Sequence, residues 1–307
     1  MIHIIEECVY LEKIVRGQLS KEDAFVGEYT TYRLNNTAIS LSRYLQAMHY
    51  DCRVYGVVGK SLSNYANEVD NFYPIEMNIS NETRIRLMVD EEKYFEFQEG
   101  LQVLKLKESM LFSSVVSDFI HQDISVVIED EYHNNEMNIY ELHEAVKNKS
   151  SLLIGCIHPK YLQTYPKDFF DVLVVDYTSL LHNFNIQAHS TINQIMEFVS
   201  VHLAMLAKSV VVYVASNKIV ASVNENVYAA TYSVGDPVSG CYLDAVLAGV
   251  IKCYEEEGDV YVLLKEVLAR SVGASLSSGL YVVNPKVLMD IKTKIKVLNF
   301  KEIEKKA

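Results

Sequence analysis

The segment Asp236-Pro237-Val238-Ser239-Gly240-Cys241-Tyr242-Leu243-Asp244-Ala245-Val246-Leu247-Ala248-Gly249 runs from a turn into small, apolar residues of helical period. A helix start presents unpaired backbone amides and the positive end of the helix dipole, a pairing suited to holding a phosphate or another anion. Two carboxylates bracket it. Asp236, a candidate catalytic base, precedes a proline, an arrangement more common in local turn chemistry. Asp244 lies deeper; if the helix begins near Gly240 it sits about one turn inside and reads as a solvated or paired side chain. A third acid, Asp176, ends the apolar run Val172-Leu173-Val174-Val175. That is where parallel sheets bind ligands, although such an Asp can equally cap the next helix.

Positioning these groups falls to a series of strands and helices. The runs Arg53–Gly59, Ile124–Ile128, Leu152–Gly155, Val172–Val175 and Val210–Val214 are largely continuous in apolar character rather than alternating. They predict strands covered on both faces, hence a parallel sheet between helical layers. Thr37–His49, Ile139–Lys147 and Ile192–Ala207 supply amphipathic helices to connect them. Phe25–Leu34 and Thr83–Phe97 alternate instead and predict antiparallel strands, the second pair joined by a turn at Asp90-Glu91-Glu92. The resulting picture is an α/β fold, a single domain over residues 1–307. A small β layer, built from roughly 10–34 and 83–98, is inserted in it.

Composition narrows the function classes. The 307 residues carry a net charge of −12 and half are hydrophobic. Nucleic acid and anionic membranes, which need a basic face, are poor partners for such a chain. A local basic pocket for a small phosphate survives that balance. The five cysteines are scattered without a CxxC pair, and the nine histidines show no HxxxH or HExxH spacing, so no metal site is predicted. The N-terminus has no basic leader and no stretch approaches the ~20 apolar residues of a membrane span. A cytoplasmic protein is the expectation.

Several points, in order along the chain, resemble the PfkB (ribokinase-like) carbohydrate kinases, especially the tagatose-6-phosphate kinase and 1-phosphofructokinase branch. Asn35-Asn36-Thr37-Ala38-Ile39-Ser40 stands where that family has a glycine-rich segment, and Tyr55-Gly56-Val57-Val58-Gly59 resembles its G-x-V-G strand end. Thr83-Arg84-Ile85 resembles the start of a lid strand. Asp236 to Cys241 resembles the N-P-V-G-S-G-D turn. The resemblance implies a three-layer sandwich with a β lid and ATP-dependent phosphoryl transfer to a sugar or sugar-phosphate hydroxyl, with ATP and Mg²⁺ as cofactors. It implies an anion hole at Val238, Ser239, Gly240 and Cys241, and substrate contacts at Glu12, Asn35, Asn36 and Arg84. The lid, rich in tyrosine, could also pair two copies of the chain.

The same resemblance marks departures. Counted without gaps from Pro237, the family's catalytic Asp falls on Tyr242; matching Ser-Gly to Ser-Gly puts it on Cys241. Only counting back from Ala248-Gly249 puts it on Asp244, and the turn then loses its glycines. The N-x-x-E that organises Mg²⁺ falls on Asp176-Tyr177-Thr178-Ser179, the paired glycines have become Asn35 and Asn36, and the nucleotide loop corresponds to Ala215-Ser216-Asn217-Lys218. Together they imply a homologue with impaired or absent kinase activity and a sugar-phosphate-binding or regulatory role. The alternatives are a rewired active phosphosugar kinase and a lid-mediated interaction protein.

Overall fold

The computed structural model describes residues 1–19, 25–89, 92–99, 104–129, 136–184, 186, 190–233, 242–277 and 284–300. Its strands are β1 (Ile2–Cys8), β2 (Tyr10–Leu19), β3 (Phe25–Asn35), β4 (Cys52–Gly59), β5 (Phe72–Met77), β6 (Glu82–Val89) and β7 (Glu92–Glu99), followed by β8 (Ile124–Glu129), β9 (Leu152–Ile157), β10 (Phe170–Asp176), β11 (Ala207–Ala215), β12 (Lys218–Val223), β13 (Asn226–Thr231) and β14 (Lys296–Asn299). The helices are α1 (Thr37–Ala47), α2 (Ser63–Ala66), α3 (Leu106–Phe119), α4 (Glu136–Lys147), α5 (Tyr177–Phe184), α6 (Ile192–Phe198), α7 (Leu243–Glu255), α8 (Val260–Leu276) and α9 (Pro285–Lys294).

Ten strands form one sheet in the order β14-β13-β12-β11-β10-β9-β8-β1-β4-β5. From β11 to β5 every pairing is parallel, and β12, β13 and β14 add an antiparallel margin. The apolar runs are continuous because successive side chains serve two cores. Along β10, Val172 and Val174 pack on one face with α1, α7, α8 and α9, while Leu173 and Val175 pack on the other with α3, α4, α5 and α6. The chain is thus a three-layer α/β sandwich. No helix among the described residues is long and apolar enough to cross a membrane.

The second sheet has the order β3-β2-β6-β7. Its outer pairs β2–β3 and β6–β7 are antiparallel, as alternation predicts, but the inner pair β2–β6 is parallel. The sequence placed no strand at β12 or β13, a tight antiparallel hairpin. The helix predicted for Ile192–Ala207 also needs correction. It ends at Phe198, widens into a π-turn closed by the Ala204 amide on the Val199 carbonyl (2.9 Å), and gives way to β11 at Ala207. The valines Val199 and Val201, poor helix formers, lie in the widened turn.

How α7 sits against the sheet matters most for the site. Its face of Ala245, Ala248 and Gly249 is fully buried, and α8 crosses it closely. A Cβ at Gly249 would lie 2.8 Å from the Val267 Cα, a backbone atom that cannot move aside alone. Alanine favours a helix interior over glycine by roughly 0.5–1 kcal/mol, so the two effects oppose each other. Overpacking, at about 1–3 kcal/mol, wins: Gly249→Ala is expected to lower the urea unfolding midpoint.

Candidate functional site

The parallel strands end at Cys8, Gly59, Glu129, Ile157, Asp176 and Ala215 along one edge of the sheet, the edge at which open α/β sheets bind ligands. Helix α7 begins at Leu243, so Asp244 stands in its first turn rather than one turn inside. Its Oδ1 accepts the Ala245 N–H at 2.9 Å. Burial pushes the Asp244 carboxyl up to about 6, against the pull of the Ala245 and Asp244 amides. A carboxyl poised near neutrality at a helix start has the character of a general acid or base. Tyr242 beside it is also pushed up, first by burial and then by the Asp244 charge. Asp236 and the anion-hole residues Val238, Ser239, Gly240 and Cys241 lie outside the described residues.

At the start of α1, internal partners meet the polar groups. The Asn36 Oδ1 accepts the Ile39 N–H at 2.7 Å, and its Nδ2 donates to the Cys8 carbonyl at 3.1 Å. Glu6, buried at the end of β1, accepts the Ala38 N–H at 2.6 Å. Two of the helix's initial amides are therefore satisfied by the protein. Asn35 accepts the Ser40 hydroxyl at 3.1 Å and donates to Glu12 at 3.3 Å.

Glu12 and Arg84 occupy the lid sheet in one register row, Arg33–Glu12–Arg84 across β3, β2 and β6. The Glu12 side chain is 1% exposed. Its Oε2 accepts from Arg33 Nε at 2.5 Å and its Oε1 meets Arg86 Nη1 at 3.0 Å. Arg84 pairs with Glu82 at 2.5 Å and lays its guanidinium 4.0 Å from the centre of the Tyr10 ring. Sequence reasoning missed Arg33, Arg86, Glu82 and Glu6. Strand register brings the first three to this cluster, and the alternation of Phe25–Leu34 could have flagged Arg33 had its pairing with β2 been in view.

Asp176 accepts both the amide (2.8 Å) and the hydroxyl (3.0 Å) of Ser179 and caps α5. These two groups, one carboxylate tied to an uncharged hydroxyl, do not fit a magnesium-organising pair. No group of three or more His, Cys, Asp or Glu is arranged for a metal among the described residues. Where the resembling family has its nucleotide loop, β11 and β12 are joined by only Ser216 and Asn217, and the Ser216 carbonyl accepts the Ser271 hydroxyl at 3.0 Å. One sizeable surface cleft, lined by Asp171, Lys208, Tyr254 and Asp259, lies at the opposite, amino end of the strands, with Lys208 bound to Asp171 at 2.6 Å.

No family profile and no curated protein matches this sequence. Solved structures do. Phosphofructokinase-2 from Escherichia coli, in its Y23D form, superposes with a TM-score of 0.77 at 13% identity, covering 95% of this chain and 98% of that one. The same enzyme in complex with fructose-6-phosphate gives 0.74 at 12% identity over the same shares. A Thermotoga maritima protein described as a possible 1-phosphofructokinase gives 0.76 at 14%, covering 97% of this chain and 99% of that one. The chain shares the fold of these solved structures over 95–97% of its length.

Proposed function

We propose that this chain is a PfkB-family homologue that keeps the carbohydrate-kinase fold and binds a sugar phosphate, with phosphoryl transfer impaired or lost. One observation carries the impairment, while the ligand class is carried over from the fructose-6-phosphate complex of a structural relative. The described side chains that the family resemblance places on ligand are engaged with the protein itself: Glu12 with Arg33, Arg86 and Asn35, Arg84 with Glu82, Asn36 with the start of α1, and Asp176 with Ser179. A group committed to an internal partner must lose that partner before it can bind anything else. Fructose-6-phosphate, bound by one structural relative, is the natural first ligand to try.

The test pairs calorimetry with a coupled ADP-release assay, using ATP·Mg²⁺ and a panel of hexose phosphates. Binding without turnover is expected; robust turnover of any sugar phosphate would overturn the reading. The raised Asp244 carboxyl favours a second reading, an active kinase with that residue as base. Under it, Asp244→Asn should cost about 10²–10⁴-fold in rate; unchanged turnover would remove the residue from that role. One relative is described as a tetrameric inhibited form. Self-association of this chain through the lid is part of the proposal, as is a cytoplasmic setting. Light scattering that finds only monomer at micromolar concentration would remove the former.

A further inference from the structure

The cleft at the amino end of the strands holds about 680 Å³, within the roughly 300–1,000 Å³ usual for small-molecule sites. It lies at the far end of the sheet from the candidate site. Asp171, on its wall, and Asp176 stand near opposite ends of β10, roughly 16 Å apart along the strand. Leu152, Val223, Tyr228 and Leu263 give the cleft apolar surface. Its polar groups have capacity to spare. Ser209, 4% exposed, accepts the Tyr254 hydroxyl at 2.8 Å. Two hydroxyls carry two hydrogens and this contact uses one; neither hydroxyl bonds elsewhere among the described residues. Lys208 has three N–H donors and gives one to Asp171 at 2.6 Å. Asp259 spends one carboxylate oxygen on the Val262 amide at 2.9 Å, where it caps α8, and keeps the second.

We propose that this cleft is a second binding site, for a neutral, unphosphorylated sugar or polyol. The inference does not depend on the sugar-phosphate reading given above. Charge and hydrogen-bonding capacity select the class. Asp171 and Asp259 against Lys208 leave the walls net negative, which repels a phosphate. An organic amine only donates, so the unused hydrogens of Lys208 and of the Ser209–Tyr254 pair would find no acceptor on it. Burying such groups unpaired is costly. A sugar hydroxyl both donates and accepts. It can take a hydrogen from the hydroxyl pair or Lys208 and give one to Asp259, while the C–H face of the ligand covers Tyr228 and Leu263.

Unphosphorylated fructose is the probe, with calorimetry on the full chain and no nucleotide present. Binding in the roughly millimolar range is expected. Ser209→Ala combined with Tyr254→Phe removes both hydroxyls at once, so neither is left stranded, and should weaken fructose binding about tenfold. Butylamine and inorganic phosphate, probes of the two rejected classes, should bind more weakly than fructose. No fructose binding up to roughly 50 mM, an affinity that the double variant leaves unchanged, or a stronger response to butylamine or phosphate overturns the proposal. Should circular dichroism show that the double variant does not fold, Asp259→Asn carries the test. Asparagine still caps α8 but turns an amide, not a carboxylate oxygen, toward the ligand. Fructose should then bind about threefold more weakly, and an undiminished affinity sinks the site.

Discussion

Replacing Asp244 by Asn is expected to stabilise the protein by about 2–3 kcal/mol at pH 7–8. The carboxyl holds its proton more tightly in the folded chain, at about 6, than an ordinary Asp does unfolded. A group raised on folding adds stability below its unfolded pKa and loses that contribution as pH rises through its folded one. Above about 6 the ionised carboxylate is therefore a net burden, and Asn, which never ionises, escapes it. The gain should shrink steadily as pH falls below 6 and vanish near pH 4. Urea unfolding midpoints of the two proteins, compared from pH 4 to 8, check this, and a difference independent of pH would refute it. Residues that strain the fold where they stand are most often kept for what they do. A confirmed burden would strengthen the base reading for Asp244; its absence would leave an ordinary helix-start acid.

The second large effect belongs to Glu266 on α8. Its buried carboxylate meets Arg270 at 2.7 Å, bonds Lys292 of α9, and lies 3.7 Å from Lys252 of α7. Burial alone would raise this carboxyl, but Arg270, Lys292 and Lys252 together hold it below the usual range. Glu266→Ala leaves Arg270 buried opposite an apolar stub. Removing one partner of such a cluster typically costs about 3–5 kcal/mol, and three helices on one face of the sheet lose their common anchor. A chemical denaturation curve is the measurement; a loss below about 1 kcal/mol would mean that water reaches Arg270 and replaces the carboxylate. Because the group is lowered on folding, its contribution is present above the ordinary Glu pKa and fades as pH falls through the depressed value.

The parallel core was legible in the sequence because burial on two faces writes itself as unbroken apolar runs. Val172–Val175 and Val210–Val214 needed no partner information to be placed. The hairpin β12–β13 was not legible. Lys218–Val223 and Asn226–Thr231 are short and mixed in polarity; the first becomes a strand on the edge that β11 offers, and the second pairs on the first. The site divides along the same line. Asp176 capping α5 was legible because its partner lies three residues away, whereas Asn36, read as a substrate contact, caps α1. The Arg33–Glu12–Arg86 contact joins residues 21 and 74 positions apart. It depends on strand register and on a parallel lid pairing that alternation alone cannot specify.

The seal at the beginning of α1 bears on how this molecule meets charge. A helix end that already holds a carboxylate from the neighbouring strand is electrically spent. Its dipole fastens the first strand to the first helix instead of drawing in a guest. Attraction for an anion at this end of α1 must then come from side chains at the rim, whose pull fades with added salt, so arrival there would be sensitive to ionic strength.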